Sequence, residues 1–279
     1  MNNTGELIKA MRVKAGFTQN TLADALHITD RAISKWERGY SLPDIALLPK
    51  LSVLLDVDID MLISQSIEQE EWIGLINIEE CDLSQKVYDK PLIYYILSHY
   101  LLLGINRIHV LTKEENKDYL SSRFFSEIGI QFSFEKPKDQ RAMIIDQPWF
   151  LFGSDLTHQF KGAMMSGRNM RLIPENQNPV FFFAQNVDDY FADPKKMATK
   201  VASRTLGRGM ICFNMSDQDS ILDVASFVRT YQKNSGLLIG CIEEIVYRRG
   251  NITNQQLLVI AEKVPYGNYL RRIAQPQVS

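Results

Sequence analysis

The spacing of apolar residues changes character near residue 70. Before that point they recur at helical intervals. Leu7, Ile8 and Met11, with Arg12, mark a first helix, and Gly16-Phe17 makes a bend. Leu22, Ala25 and Leu26 set a buried stripe on a helix from Thr18 to Leu26, with Thr18 as a good N-cap. A tight turn at His27-Ile28 follows. Thr29 then caps a second helix that ends at Gly39, where a left-handed residue fits. In that helix Ala32, Ile33 and Trp36 point inward, while Asp30, Arg31, Ser34, Lys35 and Arg38 point outward. Pro43-Asp44 opens a fourth helix with Ala46, Leu47, Leu51 and Leu54 inward, and Val57 to Ile63 predicts a fifth. Ser64 to Glu71, SQSIEQEE, is polar and acidic, the best linker candidate.

From Trp72 short apolar runs alternate with helical stretches. Trp72 to Ile78, Ile108 to Leu111, Ile130 to Phe134, Phe150 to Phe152 and Val180 to Phe183 predict strands. Pro91 to Leu103 (stopped by Gly104), Asn116 to Ile128, Leu156 to Ser166, Ser220 to Ser235 and Asn254 to Glu262 predict helices. This alternation implies a parallel sheet with helices on both faces. The domain boundaries that follow are 1–65, a linker at 66–71, and 72–279.

Composition narrows the class. The chain has 279 residues, 45% hydrophobic and 23% charged, which suits two globular domains. No run of ~18 apolar residues is present, so no membrane span is expected. The amino-terminal residues carry no basic-then-apolar pattern, which makes the cytoplasm the expected compartment. Cys81, Cys212 and Cys241 stand apart, and the four histidines are scattered, so neither a metal nor a redox site is predicted. The net charge of −2 rules out a polycation. Lys9, Arg12, Lys14, Arg31, Lys35, Arg38 and Lys50 leave the first domain with a modest basic face. One copy offers few cations to a polyanion, so a homodimer is the natural form for binding one.

A helix, a short turn and a second helix with a polar outer face is the geometry that seats a helix in the DNA major groove. With its flanks, the segment Leu7 to Leu62 resembles the lambda/434-repressor-like, Xre-type helix-turn-helix domains. The matching residues are Arg12, Gly16, Thr18-Gln19, Leu22-Ala23, Leu26, Ile33-Ser34, Trp36 to Gly39, Pro43-Asp44 and Asp60 to Leu62. The resemblance implies a five-helix, all-α domain that binds double-stranded operator DNA, with a salt bridge between Arg12 and Glu37. It implies that Gln19 anchors to a phosphate and buttresses the reading helix, and that Asp30, Arg31 and Lys35 face the bases. Arg31 can donate to guanine and Asp30 can accept from cytosine. Thr29 and Arg38 suit backbone phosphates, and Ser34 lies on the same face.

The remainder, about Trp72 to Ile273, resembles the sugar-phosphate nucleotidyltransferases, most closely the glucose-1-phosphate thymidylyltransferases. The resemblance rests on Val87 to Pro91 with Ile93 to Tyr95, Leu103 to Ile105, Leu206 to Gly209, Ser220 to Leu222 and Gly236-Leu237. Glu243 to Ile245 with Tyr247 to Gly250, then Tyr266 to Leu270, complete it. It implies an α/β, Rossmann-like fold and family oligomers. The catalytic parts depart from the pattern. Where that family places a glycine loop for the triphosphate, Ile78 to Gln85 has no glycine and carries Glu79, Glu80 and Asp82. The positions of the family's two metal aspartates fall on Pro148 and Asn214, with Asp146 out of register. The sugar-nucleotide loop is shortened to Glu135 to Arg141. The resulting expectation is a regulator without enzymatic activity, cofactor or metal. Its second half oligomerises and senses a sugar phosphate or nucleotide sugar. The alternatives are an active nucleotidyltransferase fused to its own regulator, and a second half that only dimerises.

Overall fold

The computed structural model describes residues 3–57, 59, 72–174, 180–207 and 209–275. It divides into two compact units, Met1–Glu70 with Val246–Ser279, and Glu71–Ile245. The sequence places Val246–Ser279 with the second half; in the structure these residues group with the first unit.

In the first unit, α1 (Asn3–Lys14), α2 (Gln19–Leu26) and α3 (Asp30–Glu37) precede a 3-10 turn, Ile45–Leu47, and α4 (Leu48–Leu55). Thr18 caps α2 through a reciprocal pair with Thr21, and Thr29 caps α3. His27 ends α2 in the left-handed region at φ 58°, and Gly39 follows α3 at φ 74°. The core is Leu7, Ile8, Met11, Leu22, Ala23, Leu26, Ile33, Trp36, Leu48, Leu51, Leu55 and Val57. The helices meet closely: a Cβ on Gly5 of α1 would strike the Trp36 carbonyl of α3.

Two stripes differ from expectation. Ala23, not Ala25, is the fully buried alanine of α2. The fourth helix begins at Leu48 rather than at Pro43, because Asp44 caps a 3-10 turn first. That turn rotates the register, so Leu48, Leu51 and Leu55 are buried and Ala46 is exposed. The expected fifth helix and the linker lie outside the described residues, apart from Val57 and Ile59.

Among the described residues the second unit is built on a seven-stranded sheet. Its first strand in the chain, β1 (Trp72–Asn77), is followed by a two-residue pair, β2 (Lys86–Val87) and β3 (Lys90–Pro91), and by helix α5 (Leu92–Leu103). Then come β4 (Arg107–Leu111), α6 (Glu114–Leu120), α7 (Arg123–Glu127), β5 (Gln131–Ser133), β6 (Arg141–Ile145) and β7 (Trp149–Phe152). Helix α8 (Leu156–Met164) leads to β8 (Met170–Ile173), β9 (Phe181–Ala184), α9 (Val187–Ala192), α10 (Pro194–Thr199) and β10 (Ala202–Thr205). Last in this unit are β11 (Ile211–Asn214), α11 (Gln218–Ser235) and the start of α12 (Ile242–Arg248); α13 (Asn254–Ala261) and α14 (Gly267–Ala274) belong to the first unit.

The strand order is β10-β8-β9-β6-β1-β4-β5. β1 runs parallel to both neighbours, with Gly74 opposite Ile108 of β4 and Leu75 opposite Ile144 of β6. The sheet is mixed rather than wholly parallel, since β9 is antiparallel to β6 and to β8. The interval from Ile173 to Phe181 is too short for a crossover, which takes a dozen or more residues, so β8 and β9 pair antiparallel. Helices cover both faces. On one, Tyr100 of α5 packs at Gly74, where a Cβ would lie 2.9 Å from the ring, and its hydroxyl donates to the Leu75 carbonyl at 2.8 Å. On the other, Val187, Tyr190 and Met197 of α9 and α10 join Ile73, Leu75, Ala142 and Ile144. The expected helix over Asn116 to Ile128 is two, because Ser122 takes extended backbone (φ −60°, ψ 141°) as the cap of α7.

Candidate DNA-reading face and sheet-end site

The reading helix α3 is held from beneath by a buried polar cluster. Glu37, on its last turn, accepts from Arg12 Nε at 2.5 Å and Nη2 at 3.2 Å. Arg12 Nη1 also donates to the Phe17 carbonyl at 2.8 Å. Gln19 Nε2 donates to the same Glu37 carboxylate at 2.7 Å. One ion pair thus ties the ends of α1, α2 and α3 together, and Gln19 is engaged with the scaffold.

The other predicted readers divide into two groups. Thr29 Oγ1 accepts from the Ala32 amide at 3.3 Å, and Asp30 Oδ1 accepts from the Arg31 amide at 2.7 Å, so both serve the helix N-terminus. The Arg38 guanidinium donates to Ser34 Oγ, one turn back. Arg31 and Lys35 are exposed and carry no side-chain hydrogen bond or ion pair among the described residues. A guanidinium and an ammonium projecting from one helix face, one turn apart, are the donors that base edges and phosphates accept from.

In the second unit the loop after β1 is closed on itself. Asn116 of α6, 1% exposed, accepts from the Leu83 amide at 3.0 Å. Its Nδ2 donates to the Cys81 carbonyl at 2.8 Å and to Thr112 Oγ1 at 2.7 Å. The Ser84 amide donates to Asp82 Oδ1 at 2.9 Å and the Gln85 amide to the Asp82 carbonyl at 3.2 Å. The Ser84 hydroxyl and amide hold the Asp82 carboxyl below its usual range. The amides of Leu83, Ser84 and Gln85 are therefore committed within the protein, and the exposed side chains of Glu79, Glu80 and Asp82 are acidic.

The sheet has a topological switch between β1 and β6, because β1 leads to β4 and β5 on one side while β6 lies on the other. Asn77 ends β1 there, and Asp146 directly follows β6. Tyr190 of α9 links them. Its hydroxyl accepts from Asn77 Nδ2 at 3.1 Å and donates to Asp146 Oδ2 at 3.5 Å. Burial raises the Asp146 pKa, partly countered by its own backbone amide and by Tyr190. Pro148 is buried and offers no metal ligand. Asn214 closes β11, where its Nδ2 donates to Gln147 Oε1 at 2.8 Å and its Oδ1 accepts from Ser216 at 2.5 Å. These residues do not fit a pair of magnesium-binding carboxylates. Asn77, Asn116 and Tyr190 escape sequence reasoning. The one signal for Asn77 is a polar residue closing an apolar run.

Comparison with known proteins finds separate relatives for the two halves of the chain. Residues 8–62 match the family model described as Helix-turn-helix. A prophage-derived HTH-type transcriptional regulator, YonR of Bacillus subtilis, is 32% identical over 33% of this chain and 92% of its own length. The HTH-type transcriptional regulator ImmR of the same organism is 31% identical over 33% of this chain and 73% of its own. The glucose-1-phosphate thymidylyltransferase of Neisseria meningitidis is 25% identical over 67% of this chain and 90% of its own. A solved UDP-glucose pyrophosphorylase covers 58% of this chain and 99% of its own, with 10% identity and a TM-score of 0.43. Through its first domain the chain belongs to the helix-turn-helix transcriptional regulators. What distinguishes it within that class is a second, glucose-1-phosphate thymidylyltransferase-like region fused behind the reading head.

Proposed function

We propose that this protein is a sequence-specific transcriptional regulator that binds operator DNA as a homodimer in the cytoplasm. Its second half has lost nucleotidyl transfer and serves to pair two reading heads and to sense a carbohydrate-derived effector. A sugar phosphate or nucleotide sugar is the class the resemblance implies. The observation that carries the reading is Arg31 and Lys35 projecting, with no side-chain partner among the described residues, from a helix pinned by Gln19 and the buried Arg12–Glu37 pair. Selection of bound fragments from a random duplex pool tests it. Arg31→Ala should weaken the selected site by about 1–3 kcal/mol and relax one base position. Lys35→Ala should likewise weaken the selected site and relax a second base position, whereas Arg38→Ala should weaken all sequences alike and lower the salt slope by about one. A pool that shows no enrichment overturns the proposal.

The loss of catalysis is supported by the committed amides and acidic side chains of the loop after β1. Phosphoryl chemistry depends on groups that neutralise phosphate charge. Pyrophosphate release from magnesium, a nucleoside triphosphate and glucose-1-phosphate would reinstate the reading of an active enzyme fused to its regulator.

A further inference from the structure

We propose that Arg248, Arg271 and Arg272 of the carboxyl-terminal segment form a second DNA-contacting surface, which grips backbone phosphates beside the reading head without reading sequence. The proposal rests on the reading of the head as an operator-binding domain, and it adds a partner surface that the helix-turn-helix itself does not contain.

Charge balance points to such a surface. Residues 1–70 carry seven basic and ten acidic side chains, so the head alone is a net acid. A protein's hold on duplex DNA grows with the number of phosphates that its Lys and Arg side chains neutralise. Residues 246–279 carry five basic side chains and one acidic, and they group with the head in one compact unit. Of these, Arg248, Arg271 and Arg272 are exposed. The one acid, Glu262, follows α13 and is next in sequence to Lys263.

Contacts within that unit place the segment at the carboxyl end of α1. Lys14 Nζ donates to the Tyr247 carbonyl at 3.4 Å and lies 3.7 Å over the Tyr247 ring. Arg248 Nη1 meets Asp56 Oδ2 at 3.3 Å, and a Cβ on Gly250 would lie 3.1 Å from Met11 Cε. Beyond Gly250, Asn254 Nδ2 donates to the Ala274 carbonyl at 2.8 Å. That bond holds the last turn of α14, with Arg271 and Arg272, against the start of α13. Arg271 donates to Asn268 Oδ1 at 2.9 Å, and the Arg272 guanidinium lies 5.3 Å from the Tyr269 ring centroid, so both are oriented. From Lys14 the chain reaches Gln19, the position to which the resemblance gives a phosphate, within about 18 Å. Burial and Arg248 lower the Lys14 pKa to about 8, against the opposing pull of Asp56. Positive charge is thus concentrated where the segment meets the head, and phosphate oxygens are its complement.

DNA titrations of the full chain test the proposal, on the selected operator and on a scrambled duplex, from about 50 to 200 mM salt. The double variant Arg271→Gln with Arg272→Gln should bind both duplexes more weakly. It should lower the salt slope by about two per bound chain and leave base preference unchanged. Both side chains are exposed, so its urea midpoint should stay close to that of the parent chain. Arg271→Lys with Arg272→Lys keeps the charge and should restore most of the slope. Basic residues in a last turn also favour the helix dipole, a role that would move the urea midpoint and leave the slope as it was. That outcome overturns the proposal. So does altered self-association with an unchanged slope, which would make a second copy of this chain the occupant. Either result leaves operator selection through Arg31 intact, whereas a pool without enrichment overturns that reading and the proposal with it.

Discussion

The reading helix and the loop after β1 put polar residues to opposite uses. In α3 the buried polar groups are consumed by the scaffold, and Arg31 and Lys35 point outward with no side-chain partner among the described residues. In the loop the backbone itself is consumed, by Asn116 and Asp82, and the exposed groups have the wrong sign for phosphate. A surface is available to a partner when its donors are positioned by someone else's hydrogen bonds rather than by their own. On that measure the head is prepared for an anionic partner, and the loop after β1 is not.

The strongest way to break the contrast is to remove its anchor. Glu37→Ala leaves the Arg12 guanidinium buried without its counter-ion, which costs about 3–5 kcal/mol. Urea denaturation of the full chain should show an early transition for the head, and DNA binding should fall with it. Retention of both would mean that the cluster does not position α3.

A second test reaches the body through pH. His99 on α5 is buried between the Phe160 and Phe181 rings, centroids 5.9 and 5.3 Å away, and among the described residues neither ring nitrogen has a partner. Burial lowers its pKa to about 4. The native imidazole is therefore neutral while the unfolded one protonates near 6.5. Between those values the unfolded state binds more protons, so stability falls as pH falls. The full contribution is present above pH 6.5, and about 3 kcal/mol is lost by pH 4. Urea midpoints at pH 7 and 4 measure this loss. His99→Phe should flatten the difference, and an unchanged slope would place the titration elsewhere.

The two regions also differ in how far they can be read from sequence. The head is made of local relations. Thr18, Thr29, Gly39 and the Arg12–Glu37 pair are where spacing and resemblance place them, because a cap acts within three residues. The shift at Leu48 needed knowledge of a 3-10 turn, which a helical period does not distinguish from its continuation. In the body, β1 and β4 stand out as apolar runs, but β8 and β10 are only four residues each and β10 is largely exposed. The sheet-end group is less legible still. Asn77, Asp146 and Tyr190 are brought together by strand order, and nothing in their separate neighbourhoods announces it.

Asn116 sharpens the comparison from the body's side. Asn116→Ala removes an acceptor from the Leu83 amide and a donor from the Cys81 carbonyl, at a cost of about 1–3 kcal/mol. Hydrogen exchange at Leu83 should accelerate. Inorganic phosphate should still fail to bind, since Glu79, Glu80 and Asp82 remain. Phosphate binding by this variant would show that the committed amides alone had closed the loop, and that the acids matter little.

The smallest expected effect separates two roles carried by one hydroxyl. Thr29 caps α3 through the Ala32 amide, and the resemblance also assigns it to a DNA phosphate. Thr29→Ala should cost about 1 kcal/mol of stability through the lost cap. Thr29→Ser keeps the oxygen and should restore most of that stability, together with any phosphate contact. Thr29→Asp keeps a good cap and places a negative charge at the helix N-terminus, where the dipole favours it but a phosphate does not. Stability and DNA affinity should therefore part in this variant: folding as in the parent chain, binding weaker at low salt and converging as salt rises. Equal affinity at all salt concentrations would leave Thr29 with the cap as its single task, and would move the phosphate contact to Arg38.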